Sequence, residues 1–167
     1  NDSVNLVDEN IDFAFRMAPL VDSSMVAIEL LKVTPVICAT SNFVKKYGMP
    51  NKIQALAKMP MLLLNYATLI QRFWKTLPDM KSLNIEGHHR VNDINAIYPM
   101  LKQGMGATFI FRHTVEKDLA NGTLIDLMPG YELPNIPIYL MYHNLNYTPK
   151  KMRVFIDFFK QHYMPIN

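Results

Sequence analysis

Apolar residues fall in short runs divided by polar turns, and the spacing inside each run predicts its structure. Ile11 to Arg16 alternates only loosely, which predicts a strand buried on both faces. It opens into a loop at Pro19 and Asp22-Ser23-Ser24. Met25–Leu31 and Val33–Ala39 are two further strand-like runs, with Pro35 tolerated near a strand start or edge. Ser41 is placed to cap a short helix, Asn42–Tyr47, which Gly48 ends, and Lys52–Lys58 predicts a second. Met61–Leu64 and Leu83–Glu86 read as strands, with Phe73 and Trp74 between them as anchors of a small core.

Past residue 90 the period changes. Ile94, Ile97, Tyr98 and Leu101 recur at i, i+3, i+4 and i+7, one face of a helix that Pro99 must kink unless it lies near the first turn. Ala107–Phe111 is a buried strand, Thr114–Ala120 a helix stopped by Asn121-Gly122, and Thr123–Leu127 a short strand. Pro134–Pro137 forms a stiff connection before the strand Ile138–Tyr142. The last helix begins near Thr148-Pro149, with proline at its first position, and packs through Met152, Phe155, Ile156 and Phe159. Alternating strands and helices predict an α/β protein with a largely parallel sheet.

Composition narrows the function. The chain has 167 residues, half of them hydrophobic, enough for one core or two small lobes. Its net charge of +3 is spread over short groups (Lys45-Lys46, His88-His89-Arg90, and Lys150-Lys151 with Arg153), not the dense basic stripe of a DNA-binding module. The single cysteine, Cys38, lies in an apolar run and reads as an inert buried thiol. No stretch has the length and apolarity of a membrane span, and no secretion signal is visible at the first residue. The twelve methionines read as core filling.

No catalytic residue is assigned: there is no Gly-x-Ser-x-Gly, phosphate loop or dinucleotide fingerprint. No metal site is assigned either, because adjacent His88 and His89 on a strand point to opposite faces. Helix starts and strand ends are where open α/β sheets bind small ligands. Two such places stand out. Arg16 ends a strand before a polar loop, and Val91-Asn92-Asp93 leads into a helix and the turn Gly104-Met105-Gly106. The chain reads as a binder or sensor before an enzyme.

Several segments, in order, resemble the C-terminal effector-binding domain of LysR-type transcriptional regulators. They are Val4 to Arg16 with its D-x-A-x-R ending, Asp22-Ser-Ser-Met25, and Val36-Ile-Cys-Ala-Thr-Ser-Asn-Phe-Val44. Asn92-Asp93 with Leu101-Lys-Gln-Gly-Met-Gly106 follows, then Leu119 to Tyr131, Pro137 to Tyr142 and Pro149 to Phe158. The resemblance implies a two-lobed fold like type 2 periplasmic binding proteins. Lobe I would take residues 1–34 and 130–167 and lobe II residues 35–129, with the ligand bound between them. It also implies that lobe I is incomplete here, because the family's domain starts with a strand, a helix and another strand absent from this chain. The family's winged helix-turn-helix would likewise lie outside it.

The implied ligand-binding set is Arg16, Met17, Thr40, Ser41, Asn92 and Phe111. A guanidinium at position 16 suits a carboxylate effector, or a structural ion pair with Asp12 or Asp22. Thr40 and Ser41 suit an anion at a helix start, although plain capping is the simpler reading. Asn92 is the better ligand-facing group and Asp93 the better cap, because Asp93 would repel an anion. Two changes from the family pattern, Ala18 and Asn42, leave the effector class open. No cofactor is implied. The expected partners are a small-molecule effector and other copies of the full-length protein, as a cytoplasmic homodimer or tetramer. DNA would be reached only through the missing N-terminal domain. A free-standing solute-binding protein of a transport system is the alternative.

Overall fold

The computed structural model of the chain describes residues 11–17, 25–64, 89–143 and 149–163. The polypeptide divides into two compact units. Unit 1 comprises Asn1–Val33 and Asn135–Asn167, and unit 2 comprises Thr34–Pro134. The expected lobe boundary at 129/130 compares with an observed one at 134/135. The difference has a packing cause: Tyr131 and Leu133 lie against the core of unit 2.

Unit 1 holds a three-stranded antiparallel sheet of order β1-β8-β2, where β1 is Ala14–Arg16, β2 is Met25–Val33 and β8 is Ile136–His143. The strand expected from Ile11 is short, and it is not buried on both faces, since Phe15 is 53% exposed. β8 starts earlier than expected and takes in Pro137, opposite Lys32. Proline is tolerated in this middle strand because β1 pairs only with Tyr139–Met141, beyond it. The C-terminal helix, Lys150–Tyr163, covers the sheet through the expected face. Met152 and Ile156 are buried, and Phe155 and Phe159 are half-buried. Phe13 stacks on Phe155 with ring centres 4.5 Å apart. Pro149 is the cap and not the first helical residue. Its carbonyl accepts from the Met152 and Arg153 amides at 3.0 and 3.2 Å.

Unit 2 holds a five-stranded sheet of order β5-β4-β6-β3-β7. Its strands are β3 Pro35–Thr40, β4 Met61–Leu64, β5 His89–Val91, β6 Ala107–Phe111 and β7 Leu124–Asp126. The expectation of a largely parallel sheet is corrected. Among the described strands only β4–β5 and β4–β6 run parallel, while β3 is antiparallel to both of its neighbours. The periodicity could not reveal this, because β3 is buried at every position whichever way its neighbours run. The predicted strand Leu83–Glu86, with Phe73 and Trp74, lies outside the described residues.

Among the described residues, three α-helices and a 3-10 helix accompany this sheet: α1 Ser41–Tyr47, the 3-10 helix Ile53–Lys58, α2 Ile94–Lys102 and α3 Arg112–Ala120. The C-terminal helix of unit 1 is therefore α4. α2 buries Ile97 and Leu101, as its period required, and Pro99 is accommodated inside it on the exposed side. α3 starts two residues earlier than expected, directly from β6. One cluster on the sheet holds Ile37, Phe43, Leu56, Met61 and Leu127; another holds Val36, Leu62, Ile97, Leu101, Val115 and Leu124. Each fully buried aliphatic side chain contributes about 1.5–3 kcal/mol over its exposed state.

Candidate functional site

The sheet order sorts the candidate residues of unit 2 into two groups. β5, β4 and β6 are parallel neighbours, so their carboxyl ends, at Val91, Leu64 and Phe111, share one end of the sheet. Asn92 follows β5 and Phe111 closes β6, two strand spacings apart, which is about 10 Å. Because β3 is antiparallel to β6, its first residue, Pro35, is paired with Phe111. Thr40 is five residues further along β3, about 17 Å away at the other end of the sheet. The structure therefore brings Asn92 and Phe111 to one end and leaves Thr40 and Ser41 at the opposite one.

At that opposite end the Thr40 hydroxyl and the Ser41 main-chain amide are engaged. Thr40 is 8% exposed, and it is Thr40, not Ser41, that caps α1: its Oγ1 accepts from the Phe43 amide at 3.2 Å. The Ser41 amide donates to the Thr123 carbonyl at 3.3 Å. Gly104, at φ +71°, lies so close that a Cβ there would stand 3.1 Å from Thr40 Oγ1. Thr40 thus caps α1 where the turn after α2 passes close by.

At the Asn92–Phe111 end two nine-residue helices begin at the carboxyl ends of parallel strands. α2 is capped by Asp93, whose Oδ1 accepts from the Asn95 amide at 2.9 Å and from its side chain at 3.1 Å. Asp93 does take the cap, and Asn92 beside it is exposed. α3 has no capping side chain and no acid in its first turn; Arg112 and His113 stand there instead. Cations at a helix N-terminus oppose the dipole, so this end of α3 favours an incoming negative group. The half-buried Phe111 ring lies beside it, stacked on His113 with centres 5.8 Å apart and planes 12° apart. Arg112 is turned to Asp126, with Nη2 2.8 Å from Oδ2. Sequence reasoning overlooked this helix end because it started α3 at Thr114, leaving Arg112 and His113 in a loop.

In unit 1, Arg16 is half-buried at the last position of β1, in register with Tyr139, and Met17 is half-buried just beyond it. Asp12 accepts from Lys151 at 2.6 Å, and Asp22 lies outside the described residues.

A second polar group was also missed. Asp118 on α3 is 7% exposed and accepts from Tyr98 and Lys102 of α2, each at 2.5 Å. The Lys102 bond, helped by that of Tyr98, holds the Asp118 carboxyl below its ordinary range, and the same contacts raise Lys102 and Tyr98. Tyr98 and Lys102 show their i, i+4 spacing in the sequence, but their shared partner lies on another helix. Cys38 is fully buried. Burial first, and then the charges of Asp126 and Asp118, push its thiol up to about 12. Among the described residues no three or more His, Cys, Asp or Glu side chains gather to hold a metal. No described helix is long and apolar enough to cross a membrane.

Comparison with known proteins adds the following. Residues 1–164 match the family described as "LysR substrate binding domain". The chain is 26% identical to the HTH-type transcriptional regulator PtxR of Pseudomonas aeruginosa over 95% of its own length and 51% of that protein's. It is 24% identical to the HTH-type transcriptional activator TtdR of Escherichia coli K12, over 93% of the chain and 50% of TtdR. It therefore spans about half the length of these relatives. Among solved structures it is similar to the CrgA regulatory domain of Neisseria meningitidis, with TM-score 0.78 and 23% identity over 96% of the chain and 79% of that domain. It is also similar to full-length AphB of Vibrio cholerae, with TM-score 0.79 and 19% identity over 98% of the chain and 56% of AphB.

Proposed function

The chain belongs to the LysR substrate binding domain family, and from that membership we propose that it is the effector-sensing part of a transcriptional regulator whose effector is a small carboxylate. The observation that carries the carboxylate is the uncapped start of α3, with no acid and His113 in its first turn beside Phe111, while the Arg112 guanidinium is bonded to Asp126. Asn92 supplies a neutral donor at the same end of the sheet, and Asp93 is occupied in capping α2. Arg16 and Met17, at the end of β1, are a second proposed contact. Thr40 and Ser41 support the fold of this end-to-end arrangement and are not expected to touch the effector.

Recognition here requires no bond-making chemistry. A ligand that prefers one arrangement of the domain shifts its population, and the longer protein reads that shift as altered DNA binding. Self-association, DNA contact and a place in the cytoplasm are proposed for that longer protein on the same footing. The test is operator binding by the parent protein, followed by fluorescence anisotropy with and without small carboxylates. Phe111→Ala and Asn92→Ala are expected to remove the response while leaving ligand-free operator binding intact. A parent protein that binds no DNA would end the regulator reading, and an unaltered response in both variants would end the site assignment.

A further inference from the structure

Side chains along the strands of unit 2 alternate between the two faces of its sheet, and the two faces carry different charge. Ile37, Ala39, Met61 and Ala107 share one cluster with Phe43 of α1 and with Ile53 and Leu56 of the 3-10 helix. Val36, Cys38 and Leu62 share the other with Ile97 and Leu101 of α2 and Val115 of α3. α1 and the 3-10 helix therefore cover one face, and α2 and α3 the other. Residues 34–64, which include the whole of the first cover, contain four lysines and no Asp or Glu. Residues 127–133 pack on the same face and add one exposed acid, Glu132. Lys45, Lys46, Lys52 and Lys58 are all exposed, and among the described residues none of them makes an ion pair, whereas Lys32, Lys102 and Lys151 each do. Helix dipoles account for Lys45, Lys46 and Lys58, which stand in last turns, but not for the apolar surface beside them. Tyr47 is 42% exposed and Met49 46% exposed, on either side of Gly48. The Tyr47 ring is held in place, its centre 4.5 Å from that of buried Phe43, with the Lys46 ammonium 5.0 Å above it.

We propose that this face, centred on Tyr47, Gly48 and Met49, is a docking surface for an acidic protein segment that sets an aliphatic side chain among its carboxylates. The inference stands whether or not the effector reading holds. Charge selects the sign of the partner, because ammonium groups without carboxylate partners on their own surface attract carboxylates and steer encounter. The apolar part selects its class. Tyrosine and methionine are enriched at protein interfaces, and methionine adapts its shape to an aliphatic neighbour. The backbone of a nucleic-acid duplex offers phosphates but nothing apolar to cover Tyr47 and Met49. Exposed ion pairs are weak singly, so recognition draws on both parts.

The test follows binding to the full chain by fluorescence anisotropy, using a labelled glutamate-rich peptide that contains leucines. Its controls are the same peptide with serine for leucine, the same peptide with lysine for glutamate, and a DNA duplex. The leucine–glutamate peptide binds most tightly, and its binding weakens as salt rises. Lys45→Gln/Lys46→Gln weakens it about 2- to 30-fold, the loss of two exposed ion pairs. Met49→Ser weakens the leucine peptide and leaves the serine peptide unchanged. Lys117→Gln, exposed on α3 at the other face, alters neither. Equal binding of the leucine and serine peptides overturns the proposal, as does no binding at all or an equal loss in Lys117→Gln. Tighter binding of the duplex also overturns it and gives the face to nucleic acid.

Discussion

Gly106 and Gly122 are both required by the fold, for opposite physical reasons, and paired substitutions separate them. A Cβ at Gly106 would meet Leu62 Cγ and the Pro60 carbonyl oxygen at 3.0 Å, and Leu62 Cδ2 at 3.3 Å. Neither neighbour is free to yield. Leu62 is 1% exposed in the core, and the Pro60 carbonyl accepts from the Ala107 amide at 2.9 Å where β6 begins beside β4. Gly106→Ala is therefore an overpacking change, costing about 1–3 kcal/mol. In a domain of this size that lowers Tm by about 2–12 °C. Gly122 has nothing within 4 Å but sits at φ +74°. Gly122→Ala meets only the left-handed backbone penalty, about 1–2 kcal/mol. The two alanine costs overlap, so asparagine discriminates. It tolerates the left-handed region but is larger than alanine. Urea unfolding followed by circular dichroism should show Gly122→Asn recovering much of the loss of Gly122→Ala, and Gly106→Asn losing more than Gly106→Ala. Rescue by asparagine at 106, or a Gly106→Ala loss within a few tenths of a kcal/mol, would refute the close-contact argument.

Other consequences are equally direct. The Asp118 carboxyl is held low in the fold, so its contribution is present above the unfolded carboxylate pKa and fades as pH falls through the folded value. Lys102 is raised, so its share is complete below the ordinary lysine range and fades only as pH climbs past it. The stability gap between wild type and Asp118→Asn should thus be flat from weakly acidic to weakly alkaline pH and narrow at both extremes. A gap that peaks near neutrality would contradict this pairing. Cys38, pushed up to about 12, should react with a thiol reagent at pH 8 only at the rate of opening of unit 2. Rapid labelling of folded protein would show the thiol accessible.

The elements were legible where burial has one dominant period. α2 follows from Ile94, Ile97, Tyr98 and Leu101, and α4 from Met152, Phe155, Ile156 and Phe159, whose three- and four-residue steps fit a helix face and not a strand. Strand direction was not legible, because β3 is buried at each position and carries no mark of the antiparallel pairing that sends Thr40 away from Phe111. That direction, and not residue type, separates the two groups of site candidates. The start of α3 was hidden for another reason: it lacks the Ser, Thr, Asp or Asn that announces a helix, and that same lack leaves its N-terminus open. Asp118 was missed because its partners lie on a different helix.

The most direct test of the account is a thermal-shift screen of the chain against small carboxylates, with each stabilising compound repeated on Phe111→Ala and Thr40→Ala. A ligand at about 100 times its Kd adds about 2.7 kcal/mol. The shift should vanish in Phe111→Ala and persist in Thr40→Ala, which starts from a lower Tm through loss of its cap. A shift that persists in Phe111→Ala and vanishes in Thr40→Ala would put recognition at the other end of the sheet and contradict the account.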